Sequence, residues 1–354
     1  MEELNEETMD PLAKVLFYEY PSHSLVPGGG QVQLSRTFQA LRTLGVNVSL
    51  FNAWSTPDGV GILHVFGSEY FNFEIVRVAK TLGWRVVISP IFFAQNERVS
   101  RLWGAIDQFL PLRTSFGLRR DLLRMCDAIL PNSCAELEQL CRIFGVDRRK
   151  CFVIPNAAEA RFAEASPELF AETYGLKDFV LSVGRIEPRK NQLRLVQAIG
   201  GSKIPLVLIG EKVDQHYAVR VLREAGKFSN IYYLGEIDHE DELLASAYAA
   251  ARVHVLASLV ETPGIANLEA ALAGCSVVSP DVAPAREYFC GYAHYCDPLD
   301  IKSIRLAVQR AFDAGNSDEL RKHVLACFTW ERSAKLTVQV YEEILKDRQN
   351  ENSC

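Results

Sequence analysis

The 354-residue sequence lacks the features of several specialised protein classes. None of its nine cysteines stands in a C-x-x-C pair and their number is odd, which argues against a disulfide framework or a zinc site. No run of about 18 apolar residues occurs, so no membrane-spanning helix is predicted. Lysine and arginine number 38 against 44 aspartates and glutamates, which argues against a dedicated nucleic-acid-binding protein. The acidic, polar tail at 1–12 is unlike a signal peptide. These absences predict a cytoplasmic protein, or one on the cytoplasmic face of a membrane.

Length and composition predict two globular domains. Hydrophobic residues make up 48% of the chain and charged residues 23%, as in ordinary soluble proteins. Single cores stop growing near roughly 250–300 residues, so a chain of this length is expected to divide. The polar, weakly patterned stretch at 159–178 is the natural linker. We therefore predict a first domain over 1–165, a second over 166–328, and a closing helix over 329–354 that returns to the first.

Short apolar segments alternate with segments of helical periodicity along most of the chain. This alternation is typical of parallel β/α units, and it predicts an α/β fold of two doubly wound, Rossmann-like domains. Ligands of such sheets bind beyond the carboxyl ends of the strands, so two such domains are expected to face each other across a cleft. Strands are predicted at 15–19, 46–51, 62–66, 85–89, 128–131, 151–154, 179–184, 205–210, 231–235, 253–257, 276–279 and 293–296.

The first chemical signal follows the strand at 179–184. Arg185, Arg189 and Lys190 surround the expected start of a helix, where cations oppose the helix dipole. Their placement is explained if an anion lies among them, because an arginine fork and a lysine point charge both bind phosphate. On spacing alone, a solvated helix start with incidental basic residues explains the cluster equally well.

The second signal follows the strand at 253–257. Thr262 and Pro263 are predicted to begin a helix as N-cap and first residue. The amides of Gly264, Ile265 and Ala266 would then be free donors at a positive helix end, which favours phosphate. The sequence therefore predicts a second anion-binding segment.

Two carboxylates flank this segment eight residues apart. Glu261 precedes the predicted helix and Glu269 lies two turns inside it. Carboxylates in these places could bind the hydroxyl groups of a sugar and a ribose. The alternative is a loop charge and a charge on a helix face, without a ligand.

The order of these motifs resembles that of the family 4 retaining glycosyltransferases. The motifs are Gly184-Arg-x-x-Pro-x-Lys-Asn191 and Glu261-Thr-Pro-Gly-Ile-Ala-Asn-Leu-Glu269, preceded by the glycine loop Pro27-Gly-Gly-Gly30. The resemblance implies the GT-B architecture of two Rossmann-like domains. It also implies a nucleotide-sugar donor, with UDP and GDP both open, and a glycan or lipid-linked acceptor. Neither a cofactor nor a metal ion is implied, and the sequence contains no Asp-x-Asp.

The resemblance also implies roles for individual residues. Arg185 and Lys190 would neutralise the leaving diphosphate, and Glu261 would contact the transferred sugar. In such a front-face transfer the acceptor hydroxyl attacks from the side on which the diphosphate leaves, and a phosphate oxygen takes its proton. The remaining donor-side contacts would come from Gly29, Gly30, Gly235, Ile237, Gly264, Ile265, Ala266 and Glu269.

The acceptor side departs from the family pattern. Many members carry a histidine after the fourth strand, whereas this chain has no histidine over 88–96. The candidates that remain near the acceptor are His23, His64, Ser89 and Asn96.

Charge distribution gives a further hint about the acceptor. Residues 98–150 hold ten basic and six acidic side chains and several aromatic ones. Such a stretch could contact an anionic membrane surface peripherally, and the alternative is a solvated face over core residues.

Two other functions fit parts of the pattern. A catalytically silent GT-B scaffold would keep the fold and bind a nucleotide sugar without transfer. An NAD-type oxidoreductase would share the fold, but Gln33 stands where its fingerprint needs a third glycine, and Phe51-Asn52 stand where it needs an acid.

Overall fold

The computed structural model describes residues 13–20, 28–94, 99–100, 114–262, 264–316 and 318–352. The chain divides into two compact units, each built on one sheet. The first unit comprises Met1–Asn132, Glu136–Ile154 and Glu331–Cys354. The second unit comprises Ser133–Ala135 and Pro155–Trp330.

The first unit contains a parallel sheet of the order β2-β1-β3-β4-β5. Its strands read as continuous apolar runs because helices cover both faces, as in β1, where Val15 to Tyr18 are all buried. The elements are β1 (Lys14–Glu19), α1 (Gly29–Thr43), β2 (Val48–Leu50), β3 (Val60–Phe66), α2 (Phe73–Thr81), β4 (Arg85–Ser89), α3 (Ser115–Met125), β5 (Ala128–Ile129) and α4 (Cys134–Phe144).

The second unit contains a six-stranded parallel sheet of the order β11-β10-β9-β6-β7-β8. This is the strand order of a Rossmann sheet, with its reversal point between β6 and β9. Its elements are α5 (Glu168–Tyr174), β6 (Phe179–Val183), α6 (Gln192–Ile199), β7 (Leu206–Ile209), α7 (Gln215–Ala225), β8 (Ile231–Tyr233), α8 (Glu242–Ala250), β9 (Ala251–Val255), α9 (Ile265–Leu272), β10 (Ser276–Pro280), α10 (Ala283–Phe289), β11 (His294–Cys296), α11 (Ile301–Ala314) and α12 (Asp318–Cys327).

The last helix, α13 (Trp330–Asn352), belongs almost entirely to the first unit. Ala334, Val340, Tyr341 and Ile344 are buried in the same apolar cluster as Val15 of β1. Helix α13 thus contributes to the core of the first unit.

The boundary between the units differs from the predicted one. The main segment of the second unit begins at Pro155 rather than at 166. Phe162 is fully buried against that unit's apolar cluster, which includes Phe170 and Phe179. The amide of Ala158 donates to the carbonyl oxygen of Phe328 at 3.1 Å. The stretch at 159–178 is mostly polar in sequence, so it did not indicate that Phe162 belongs to the core of the second unit.

Some predicted elements are shorter in the structure. The strand expected at 151–154 is an isolated bridge between Cys151 and Ile129. The amides of Phe152 and Ile154 donate to the carbonyl oxygens of Ile129 and Pro131, each at 2.9 Å. The helix expected from Pro188 is a one-turn 3-10 segment, and α6 begins only at Gln192. Across the described helices, none combines the length and the apolar character needed to cross a membrane.

Candidate active site

The candidate site of the second unit lies at the reversal point of its sheet. The segments that follow β6 and β9 leave neighbouring strand ends there, the usual ligand position in open α/β sheets. The amide of Leu259 donates to the carbonyl oxygen of Arg189 at 2.8 Å. Asn191, at a φ of 60°, donates from Nδ2 to the carbonyl oxygen of Ala257 at 2.9 Å. The two motifs from the sequence are therefore adjacent in space.

Lys190 and Glu261 form a buried ion pair between these segments. Lys190 Nζ lies 2.7 Å from Glu261 Oε2, and the two side chains are 14% and 8% exposed. Burial acts to raise the pKa of the Glu261 carboxyl, but the charges of Lys190 and Arg189 outweigh it, so that the pKa is lowered. Glu261 is therefore a carboxylate at neutral pH.

Two further cations surround a second carboxylate. Glu187 Oε1 accepts from Arg189 Nη2 at 2.9 Å and lies 3.5 Å from Arg185 Nη2. Arg185 is only partly buried, with 25% of its side chain exposed, so its guanidinium can reach a ligand at the strand ends. With Lys190, three cationic side chains therefore lie at this edge of the second unit's sheet.

The start of α9 differs from the predicted one. Gly264, rather than Thr262, is the N-cap, and Pro263 lies outside the described residues. The φ of Gly264 is 88°, and a Cβ there would lie 2.6 Å from Leu256 Cδ1 and 3.1 Å from Glu261 Cγ. Only glycine fits this position, and the amides of Ile265 and Ala266 take the first two helical places, which have no intrahelical acceptor.

Glu269 is held inside the unit by two aromatic side chains. Its Oε1 lies 2.6 Å from His239 Nε2, and its Oε2 accepts from the Tyr248 hydroxyl at 3.0 Å. Burial acts to lower the pKa of His239, but Glu269, Glu240 and Glu159 outweigh it, so that the pKa is raised. Sequence reasoning did not identify His239 as a site residue, although it follows Ile237, a predicted donor-side residue, by two positions.

Glu159, His239 and Glu240 also bring three metal-ligand atoms within 4.8 Å of one another. Arg161 reaches the same place, because its guanidinium donates to the His239 carbonyl oxygen and its Nε lies 3.5 Å from Glu159 Oε2. The guanidinium charge opposes a metal ion at this cluster.

Gly235 and Ile237 lie on the turn that follows β8, on the same edge of the sheet. The φ of Gly235 is 84°, and its carbonyl oxygen accepts from the amide of Gly210 at 2.7 Å. Ile237 is partly buried against the apolar cluster of the unit. The second unit thus brings all of the donor-side residues predicted from 185–269 to the carboxyl ends of β6, β8 and β9.

In the first unit, Gly29 and Gly30 form the first residues of α1. A Cβ on Gly30 would lie 3.4 Å from Ile91 Cδ1, in the segment after β4, whereas one on Gly29 would meet no atom of the described residues within 4 Å. These two glycines therefore lie at the carboxyl edge of the first sheet, where the sequence predicted a donor-side loop.

The acceptor-side predictions in this unit have a different outcome. His64 is 1% exposed, with Nδ1 2.6 Å from the Tyr341 hydroxyl and Nε2 3.0 Å from Ser89 Oγ. Burial lowers the pKa of His64 to about 3, so the ring is neutral. The structure thus corrects the prediction for His64 and Ser89, which bond to each other inside the core. His23 and Asn96 lie outside the described residues.

Residues 171–324 match the model of the family described as glycosyl transferases group 1. The serotype-specific mannosyltransferase WbdA of Escherichia coli is 28% identical over 193 residues, which are 50% of this chain and 23% of that protein. The N-acetylgalactosamine-N,N'-diacetylbacillosaminyl-diphospho-undecaprenol 4-alpha-N-acetylgalactosaminyltransferase of Campylobacter jejuni is 31% identical over 167 residues, which are 46% of this chain and 44% of that enzyme. The chain thus spans less than half the length of these curated relatives.

Solved structures resemble the chain over nearly its whole length. Sucrose-phosphate synthase from Thermosynechococcus elongatus has a TM-score of 0.77 at 18% identity, covering 94% of this chain and 100% of that one. Anabaena HepE in complex with UDP has a TM-score of 0.68 at 16% identity, covering 95% and 100%. The chain therefore has the fold of GT-B glycosyltransferases, and its residues 171–324, which include Lys190, Glu261 and Glu269, match the group 1 glycosyl transferases.

Proposed function

We propose that this chain is a retaining glycosyltransferase of family 4, which moves a sugar from a UDP- or GDP-sugar to a hydroxyl group of a glycan or lipid-linked acceptor. The observation that carries the proposal is the largely buried Lys190–Glu261 pair, followed four residues after Glu261 by the first amides of α9, at the reversal point of a Rossmann sheet. A diphosphate and the sugar attached to it need this combination, with positive charge for one and a carboxylate for the other.

Each of these residues has a role in a front-face transfer. The negative charge that grows on the leaving phosphate oxygen is stabilised by Arg185, Lys190 and the amides of Ile265 and Ala266. Glu261 holds a hydroxyl group of the sugar. The bond between the sugar and the phosphate breaks as the acceptor oxygen bonds to the same face, and the acceptor proton passes to a phosphate oxygen. Cationic side chains take the place of a metal ion in this scheme.

Names of similar proteins support the substrate classes. The relatives include mannosyltransferases and an enzyme named for an undecaprenol-linked substrate, and one similar structure is a complex with UDP. We therefore include both lipid-linked and glycan acceptors in the proposal.

The nucleotide test is a panel of UDP, GDP and ADP and their sugars, read by thermal shift. At a hundred times its dissociation constant, the correct nucleotide should stabilise the fold by about 2.7 kcal/mol. Release of the nucleoside diphosphate from a bound sugar nucleotide then separates an enzyme from a silent scaffold. Arg185→Ala and Lys190→Ala should each lower turnover by about 10²–10³. A near-normal rate in the double variant would contradict the proposal.

Peripheral membrane contact through 98–150 is a separate part of the proposal. Some of its side chains have structural roles, since the Arg119 Nε donates to the Ser68 carbonyl oxygen at 2.7 Å and the Phe116 ring packs 4.8 Å from Phe144. These contacts support the solvated-face alternative. Co-sedimentation with anionic vesicles at low salt is the test, and its absence would remove the membrane contact.

A further inference from the structure

His254 occupies an unusual place in β9. Its neighbours Val253 and Val255 are apolar and buried, and His254 itself has no exposed surface. The ladder between β6 and β9 ends with Leu181 opposite His254. Two residues further along β6, the amide of Val183 donates to His254 Nε2 at 3.2 Å. The imidazole therefore extends the hydrogen bonding of the sheet to the residue that precedes Gly184 and Arg185.

This contact fixes the state of the ring. Because Nε2 accepts a hydrogen bond, the proton of the neutral ring is on Nδ1, which donates to Asn267 Oδ1 at 2.7 Å. Burial lowers the pKa of His254 to about 4 against the opposing effect of this bond, so the ring is neutral at pH 7. Asn267 is the third residue of α9. One side chain thus joins the end of β6 to the first turn of α9.

The pair leaves one polar group without a partner. Asn267 is fully buried, and among the described residues no acceptor reaches its Nδ2. A buried donor of this kind lowers the stability of the fold, and two apolar side chains of similar size would avoid that loss. Packing therefore does not explain why a histidine and an asparagine stand here.

We propose that His254 and Asn267 are positioning residues that hold the start of α9 in register with the end of β6. The proposal rests on the proposed function, because these two elements carry the groups assigned to the diphosphate. Arg185 follows the end of β6, and the amides of Ile265 and Ala266 begin α9. Neither His254 nor Asn267 touches a substrate in this scheme; both act through the backbone that they join.

The test compares nucleotide binding and folding in four proteins: the full-length chain, His254→Val, Asn267→Leu and the double variant. Titration calorimetry with UDP and UMP, and with GDP and GMP, gives the dissociation constants below the unfolding temperature of each protein. We expect the double variant to fold with an unchanged or higher Tm, and to bind the nucleoside diphosphate about tenfold more weakly. Binding of the monophosphate should change less, because the two elements meet at the distal phosphate. Each single variant should lose about as much affinity as the double variant.

A matched control is Val308→Ala on α11, a buried site on a helix that carries none of the proposed site residues. This variant should lower Tm without changing the dissociation constant of the nucleoside diphosphate or of the monophosphate. Variants that lower Tm but bind UDP or GDP as tightly as the original chain would overturn the positioning role alone. If the original chain binds no nucleotide of the wider panel, the proposed function and this inference fail together.

Discussion

At the scale of single residues, the Lys190–Glu261 pair brings two opposite charges together where little of either side chain is exposed. The two residues are 71 positions apart in the sequence. The sequence predicted a contact with the diphosphate for Lys190 and a contact with the transferred sugar for Glu261. The structure places them in one ion pair at 2.7 Å. Either charge alone would be costly at this depth, so each residue of the pair stabilises the charged form of the other.

Removing one member of the pair should therefore be more damaging than removing both. Lys190→Met leaves the Glu261 carboxylate buried without its partner, and we expect a loss of about 3 kcal/mol in the free energy of unfolding. Lys190→Met combined with Glu261→Gln should recover part of that loss. Urea denaturation is the measurement, and Lys335→Ala, which breaks an exposed pair with Glu331, is the control expected to show no measurable change. A double variant less stable than the single one would contradict this account.

His64 gives a residue-scale prediction about pH. Its pKa is about 3 in the folded chain, below the ordinary value of 6.5, so the unfolded chain binds more protons between these values. Stability should thus rise with pH across this window and fall on acidification, by about 1.4 kcal/mol per pH unit for this residue. His64→Gln should reduce the slope of unfolding free energy against pH between pH 6 and 4 by about that amount. Equal slopes in the two proteins would show that His64 is not a buried neutral ring.

At the scale of elements, the start of α9 differs from the one that the local sequence predicted. Thr262 and Pro263 have the composition of a helix start, and the prediction placed the cap there. The structure begins the helix after Gly264, where the backbone has a φ of 88° and Leu256 and Glu261 leave no room for a Cβ. Most strands, in contrast, follow the apolar runs to within a few residues, since a strand covered on both faces needs little more than that run.

Gly264→Ala should test this turn. The new Cβ would be 2.6 Å from Leu256 Cδ1 and close to Glu261, in addition to the strain at a φ of 88°. We expect a loss of about 2–4 kcal/mol in unfolding free energy, together with weaker nucleotide binding. Gly175→Ala is the matched control, because its φ is 66° and its Cβ would meet no atom within 4 Å in the described part of the chain. That variant should lose only about 1–2 kcal/mol and keep its nucleotide affinity. Equal losses in the two variants would exclude the contact with Leu256 as the cause.

At the scale of the whole molecule, the first unit is assembled from both ends of the chain. Residues from α13 are buried beside β1, and Tyr341 bonds to His64 of β3. The sequence predicted that the last helix belongs with the first domain, on a resemblance. It did not predict the contact with His64, because a histidine within a strand carries no local sign of what will cover it.

Ending the chain at Trp330 should therefore affect the first unit selectively. The truncation removes Ala334, Val340, Tyr341 and Ile344 from a buried cluster and leaves the His64 ring without its Tyr341 partner. We expect β1 and β3 to lose their amide protection in hydrogen exchange, while β6 and β9 keep theirs. Undiminished protection in β1 and β3 would contradict the assignment of α13 to the first core.

The sequence by itself determined the α/β class, the two sheets, and the motifs that place cations and carboxylates after particular strands. It could do so because apolar periodicity and strand ends are local properties of the chain. Only the tertiary structure decided which of those groups meet: Lys190 with Glu261, Glu269 with His239, and His64 with Tyr341. Partners far apart in sequence are brought together by strand order and packing. Their charges then lower the pKa of Glu261 and raise that of His239, whereas burial alone lowers the pKa of His64.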